Sequence, residues 1–236
     1  MTDSHALLQA NLARVRARIV EACLQCGRDP ASVQLIAVSK TQDAAAVRSA
    51  HANGQRHFGE NYLQEALEKQ VALQDCAIEW HFIGPIQSNK TRDIAAQFDW
   101  VHSVDRAKVA ERLQQQRPAG LPRLRVLLQV NLEAEPGKSG VAPGELEALA
   151  AVVEHCDHLE LRGLMAIPAP TPDVARQRQC FRALAAAAAR LRAAGHAGCL
   201  ELSMGMSADM EAAIAEGATM VRIGTDIFGA RVRSKS

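Results

Sequence analysis

Apolar positions along this chain follow two alternating rhythms. Over residues 4–25, Leu8, Leu12, Val15, Ile19 and Cys23 fall on one helical face, and Gly27 then Pro30 end the pattern. Beyond it, short β-branched runs alternate with longer amphipathic ones. The short runs, at 34–39, 57–59, 79–83, 99–103, 125–131, 160–167, 199–203 and 220–223, predict strands. The longer ones predict helices near 43–53, 61–73, 88–97, 105–116, 143–155, 173–194 and 208–216. Gly54, Gly120, Gly195 and Gly217 stand where helix C-caps are expected. Repeated strand–helix alternation predicts a parallel sheet. Eight strands in a domain of this size predict an α/β fold of the closed (β/α)8 TIM-barrel kind, with an extra N-terminal helix and residues 1–236 as a single domain. An open doubly wound sheet is the alternative, but no G-x-G-x-x-G follows the first strand. "PAPTP" at 168–172 reads as a surface loop, and "LAAAAARLRAAG" as an Ala-rich helix.

Charge narrows the function classes. Lys and Arg number 27 against 26 Asp and Glu, a net charge of +1, so no broad nucleic-acid or membrane surface is expected. The short basic runs at Arg190–Arg192 and Arg231–Lys235 read as a solvated helix face and a terminus. No stretch is long and apolar enough to span a bilayer, and no secretory leader is visible. Six scattered cysteines suit a reducing cytoplasm, and the Cys23/Cys26 pair lies one helical turn apart without a thioredoxin-like context.

In such a barrel, chemistry collects on the loops after the strands. The first strand, "QLIAVSK", runs straight into Lys40. A lysine snorkelling to solvent or paired with Glu60 is the plain reading. Burial disfavours the ammonium form, however, so a lysine at a barrel mouth can serve as an amine nucleophile toward a carbonyl. The last two strands tip the balance toward chemistry. "LSMGMSADMEAAI" supplies Ser203, Gly205 and Ser207 before a short helix starting near Ala208, and "RIGTDIFG" supplies Gly224 and Thr225. Phosphate sites of this fold are frequently built from these loops. Asp209 counts against an anion there if it points inward. An amine opposite a phosphate cradle is the joint signal of an aldehyde-bearing phosphate cofactor.

Two rival motifs fail. "PGKSG" at 136–140 would need glycine at position 132 to be a P-loop, and Leu132 is there. "EHCDH" at 154–158 offers His155 and His158 but precedes a strand, on the face of the barrel that serves stability. His51 and His196 sit at helix ends and need no function.

The stretches "LIAVSKTQ", "FGENYLQEALEK", "WHFIGPIQSNK", "VHSVDR", "LRGLMAIP", "LSMGMSADMEAAI" and "VRIGTDIFGAR" run in order from residue 35 to 231. In them the chain resembles the pyridoxal phosphate homeostasis proteins, the YggS/PROSC-type family. These are fold-type III relatives of the barrel half of alanine racemase. The resemblance implies that Lys40 carries pyridoxal 5′-phosphate as an internal aldimine. It implies that Ser203, Ser207, Gly224 and Thr225 hold the phosphate and that Arg222 faces the pyridine nitrogen. Asn61, His81 and Met204 would line the cofactor. Lys138 and Gly140 match a further family signature of underived role. The implied function is to buffer or deliver the cofactor, with apo forms of cofactor-dependent enzymes as partners and a monomeric state.

Three readings follow: a cofactor carrier, an amino-acid racemase-like enzyme, and a Schiff-base aldolase using Lys40 directly. The aldolase has no use for Arg222. A racemase needs acid/base groups on both faces of the α-carbon. The only tyrosine here is Tyr62, at a helix start, and no residues remain for the second domain that supplies one in alanine racemase. The carrier is therefore the expected function, with no enzymatic turnover and no metal.

Overall fold

The computed structural model describes residues 2–133 and 139–229. A 24-residue helix, α1 (Thr2–Gln25), comes first. Its predicted face is the buried one: Leu12 and Val15 are at most 1% exposed. Gly27, at φ +68°, ends it, a left-handed conformation that costs glycine nothing.

Strands and helices then alternate. They are β1 (Gln34–Val38), α2 (Ala44–Ala52), β2 (His57–Glu60), α3 (Leu63–Ala72), β3 (Glu79–Phe82), α4 (Thr91–Gln97), β4 (Trp100–Val104) and α5 (Ala107–Gln116). The second half follows as β5 (Leu124–Gln129), α6 (Leu146–Glu154), β6 (Leu159–Met165), α7 (Val174–Ala193), β7 (Glu201–Ser203), α8 (Met210–Ala215), β8 (Met220–Ile223) and α9 (Thr225–Phe228). The strands pair in parallel, each with the next, and β8 returns to β1 with Ala37 opposite Ile223, closing the barrel.

Alternation along each strand divides the core in two. Outward residues such as Leu35, Ala37, Phe58 and Val101 pack with the helices in the main core. Inward residues Ile36, Trp100, Leu127, Met165 and Met220 form a separate cluster inside the barrel. Residues 36 and 38 share the inward parity, and Lys40 follows in the turn beyond the strand's C-terminal end.

The expected elements are all present, with shifted edges. Gly54, Gly195 and Gly217 have positive φ as expected of C-caps. Gly120 does not; α5 has already ended at Gln116, with Arg117 extended as its cap. Helix α6 starts at Leu146, because Pro143 and Gly144 lie in a turn. Gly140 has φ +124°, and a Cβ there would stand 2.6 Å from the Asn131 amide nitrogen. Glycine is what allows Val141 to bridge to Val130 at the end of β5. Lys138, the other half of that signature, lies outside the described residues.

Helix α1 packs against α8 and α9. Asn11 Nδ2 donates to the Ile227 carbonyl (3.1 Å). The Arg18 guanidinium donates to Asp226 (2.6 Å), Glu211 (2.9 Å) and the Ser207 carbonyl (3.0 Å). The extra helix thus ties together the two loops expected to hold phosphate.

Candidate functional site

Lys40 leaves β1 at the C-terminal mouth, half-buried, between buried Ser39 and exposed Thr41. Both neighbours are held by α3. Lys69 Nζ donates to the Ser39 carbonyl (2.7 Å), and the Thr41 amide donates to Glu65 Oε2 (2.9 Å). Thr41 has φ +63°, an unfavourable conformation for a β-branched residue that persists only under such restraint. Lys69 Nζ also meets Glu60 Oε1 at 2.7 Å, a buried pair beneath the loop. Ser39 Oγ also donates to Glu60 Oε1 (2.7 Å). Burial pushes the Glu60 carboxyl up, against the pull of Lys69 and Ser39.

The structure brings Lys40, Gly224 and Thr225 together. They line one small cleft of about 50 Å³ with Val38, Thr41, Gln42 and Gly229. The parallel pairing of β1 with β8 is the cause, since it sets the two strand ends side by side. A Cβ at Gly224 would stand 3.2 Å from the Val38 carbonyl oxygen, so glycine permits the close approach of the two loops.

Arg222 lies one layer below, buried, on the inward face of β8. Its guanidinium donates to Ser203 Oγ (2.7 Å) and to the Ala166 carbonyl (3.0 Å). Burial lowers its pKa to about 10, with Asp209 opposing, so it stays cationic at neutral pH. Ser203 is fully buried, and its hydroxyl is engaged by Arg222 and by His102 Nδ1 (2.8 Å). That hydroxyl thus stands between Arg222 and His102. Ser207 is half-buried in the turn before α8, which begins at Met210 and not near Ala208. Asp209 folds back, accepting from the Met206 amide (2.6 Å), and thereby closes that turn. Burial raises its pKa, with the Met206 bond and the charge of Arg222 opposing.

Asn61 follows β2 at the mouth, and its Oδ1 is buried without a hydrogen-bond partner. Met204 is fully buried in the main core, so its side chain packs with the outer layer. His81 lies deeper than expected, inside the barrel and stacked on Trp100 at 5.6 Å. It belongs to a chain of imidazoles that sequence reasoning missed. His57 Nδ1 meets His81 Nε2 (3.1 Å), His81 Nδ1 meets His102 Nε2 (2.9 Å), and His102 continues to Ser203 and Arg222. Burial holds His81 and His102 well below the ordinary histidine range, so both are neutral. A signal existed in the inward parity of His57, His81 and His102, but only a barrel makes that face an interior.

The cleft suits an anionic aldehyde. It is lined by Lys40, the Thr225 hydroxyl and two glycines, with the buried cation of Arg222, on β8, two residues before Gly224; Asn61, at the end of β2, holds a buried acceptor without a partner. A group that brings a donor and a negative charge would complete these polar atoms.

The chain matches the family "Alanine racemase, N-terminal domain" over residues 7–232. It is 62% identical over 221 residues to the pyridoxal phosphate homeostasis protein of Pseudomonas aeruginosa, covering 94% of each chain. The Escherichia coli protein of that name is 53% identical over 228 residues, covering 95% of this chain and 97% of that one. Among solved structures, PipY of Synechococcus elongatus with PLP bound superposes with a TM-score of 0.83 at 41% identity, covering 94% of this chain and all of that one. With the closed barrel, the cleft at its mouth and these likenesses together, the chain belongs to the family of pyridoxal phosphate homeostasis proteins, built on the alanine racemase N-terminal domain.

Proposed function

We propose that this protein binds pyridoxal 5′-phosphate at the C-terminal mouth of its barrel and holds it for intracellular buffering or delivery, without turning over amino acids. The observation that carries this reading is the shared cleft of Lys40, Gly224 and Thr225 above buried Arg222. Lys40 would hold the cofactor covalently through its amine. Ser207, Gly224 and Thr225 would bind its phosphate, and Arg222, aimed by Ser203, would face the ring nitrogen. Asn61 would meet the ring from the β2 side. His81 acts one step back, through His102 and Ser203, and Met204 through packing. When bound, the cofactor supplies an aldehyde and an electron-accepting ring.

Two features of the chain favour holding over turnover. A cationic Arg222 facing the ring nitrogen would keep it unprotonated, which would weaken the ring as an electron sink. Tyr62, the sole tyrosine, is 51% exposed at the start of α3, an open position for an acid/base group. No helix among the described residues is long and apolar enough to cross a membrane.

The test pairs cofactor transfer with exchange chemistry. The loaded protein should reactivate an apo-enzyme, while solvent deuterium enters the α-carbon of no amino acid in a panel at enzymatic turnover, roughly 1–1000 per second. Exchange at such a rate on any one amino acid would establish the racemase-like reading instead, with Tyr62 the first residue to replace.

The phosphate cradle gives a second expectation. A hydrogen bond to a charged group contributes about 1.5–3 kcal/mol. Thr225→Val or Ser207→Ala should therefore weaken retention of pyridoxal phosphate about ten- to a hundredfold. Binding of unphosphorylated pyridoxal should change far less. Equal losses for both ligands, read by fluorescence titration, would assign these residues to the fold.

A further inference from the structure

The opposite end of the barrel carries a group of ligating side chains of which the proposed function uses His81 alone. His57 and Glu79 open β2 and β3, and His81 lies two residues along on the same inward face. His57 Nδ1 stands 3.1 Å from His81 Nε2 and 3.8 Å from Glu79 Oε2. One ligand atom from each of the three lies within 4.8 Å of the others. Ligands held about 2.0–2.2 Å from a tetrahedral zinc ion are roughly 3.3–3.5 Å apart. The three atoms need to move only a fraction of an ångström to more than one to meet that triangle.

We propose that His57, Glu79 and His81 form a binding site for a divalent transition-metal ion of the zinc class, with a fourth position open to solvent. Two imidazoles and one carboxylate favour such an ion over magnesium or calcium, which prefer all-oxygen sets. The outer ligands are in place. His81 Nδ1 bonds His102 Nε2 (2.9 Å), and Glu79 Oε1 accepts from Trp100 Nε1 (2.5 Å) and pairs with Arg125 (2.8 Å). Such partners orient metal ligands and fix the imidazole tautomer. The side chains of His57 and Glu79 are 23% and 29% exposed, which gives an ion its way in. His57 also borders a cleft of about 460 Å³ beneath α1, shared with Arg16, Gln34 and Gln55.

Nearby charge is mixed. Arg125 opposes a cation, while Asp99 adds a negative charge beside His57. The affinity expected is therefore modest, in the micromolar range. In the metal-free chain one proton lies between His57 Nδ1 and His81 Nε2. Ligation needs lone pairs on both atoms: with His81 Nδ1–H donating to His102 Nε2, that proton is carried by His57 Nδ1 and moves through solvent to His57 Nε2. The hydrogen bond between the rings breaks, two metal–nitrogen bonds and one metal–oxygen bond form, and both imidazoles stay neutral.

Equilibrium dialysis of the full chain against zinc, with metal counted by atomic spectroscopy, tests the site. One ion per chain is expected. His57→Ala and Glu79→Gln should each weaken binding by at least about tenfold. The His155→Ala/His158→Ala double variant should leave it unchanged. His57 and Glu79 are chosen because both are partly exposed, so their replacement spares the buried interior; circular dichroism verifies the fold. Zinc should also shift the imidazole nitrogen resonances of His57 and His81 in ¹⁵N NMR. Absence of binding at submillimolar zinc would overturn the proposal. So would binding that survives both variants or that is abolished by alkylating the cysteines.

Discussion

Lys40→Ala should abolish covalent retention of pyridoxal phosphate and leave the barrel folded. The amine at position 40 faces the cleft shared with Gly224 and Thr225, and no other described lysine lines it. Lys69 is committed to a buried ion pair, and Lys90 lies exposed at the head of α4. Borohydride reduction and peptide mapping of the parent protein should therefore place the pyridoxyl group on Lys40 alone. In Lys40→Ala that label should vanish together with the visible absorption band. Lys40→Arg separates charge from nucleophilicity, since a guanidinium keeps the cation and stays protonated. It should also lose the label while keeping some phosphate-dependent binding. Both variants should melt close to the parent, because residue 40 lies beyond the end of β1 and outside both core clusters. A label confined to Lys90 or Lys138 in the parent would sink the assignment.

What made Lys40 legible was its position: an apolar strand that ends in a cation is conspicuous at any register. The barrel was legible for a similar reason, because its alternation of strand and helix is local and survives errors at element edges. The interior was not. A polar residue at every second position of a strand ordinarily reads as a solvated face. Only closure of the sheet turns His57, His81, Glu79 and Trp100 into barrel lining. Register shifts in β4 against β5 and in β5 against β6 were equally hidden, since they depend on contacts between strands. At Gly163 a Cβ would collide with the Glu201 carbonyl, yet in the sequence it is one glycine in an apolar run. Arg18 gave no signal because its role depends on where α1 docks, which no local pattern encodes. Lys69 was concealed more thoroughly. With Glu65 four residues before it, it reads as an exposed helical pair of a kind that contributes little.

Replacing that lysine should instead be the most damaging single change outside the cleft. The Lys69 side chain is 7% exposed and that of Glu60 is 0% exposed, and they meet at 2.7 Å. Lys69→Met leaves the Glu60 carboxylate buried with only Ser39 to donate to it, and leaves the Ser39 carbonyl without its lysine. Removing one partner of a buried pair costs about 3–5 kcal/mol. For a chain of this size that lowers the melting temperature by about 6–20 °C. The deficit should depend on pH in a definite direction. Burial already raises the Glu60 pKa while Lys69 opposes it, so loss of Lys69 raises it further. A carboxyl whose folded pKa lies above its unfolded value, about 4.3, contributes stability that is full below that value and is lost as pH rises through the folded one. Lys69→Met should therefore lie nearest the parent around pH 4 and fall away toward pH 7. Adding Glu60→Gln removes the orphaned charge and should recover much of the stability at neutral pH. It should not recover cofactor retention, because the Ser39 carbonyl still lacks the lysine that fixes the peptide before Lys40. Thermal melts across this pH range, with cofactor titration of the single and double variants, separate the two roles. A Lys69→Met protein that melts within about 2–4 °C of the parent at pH 7, a loss of no more than about 1 kcal/mol, would show that the pair does not support the loop that presents Lys40.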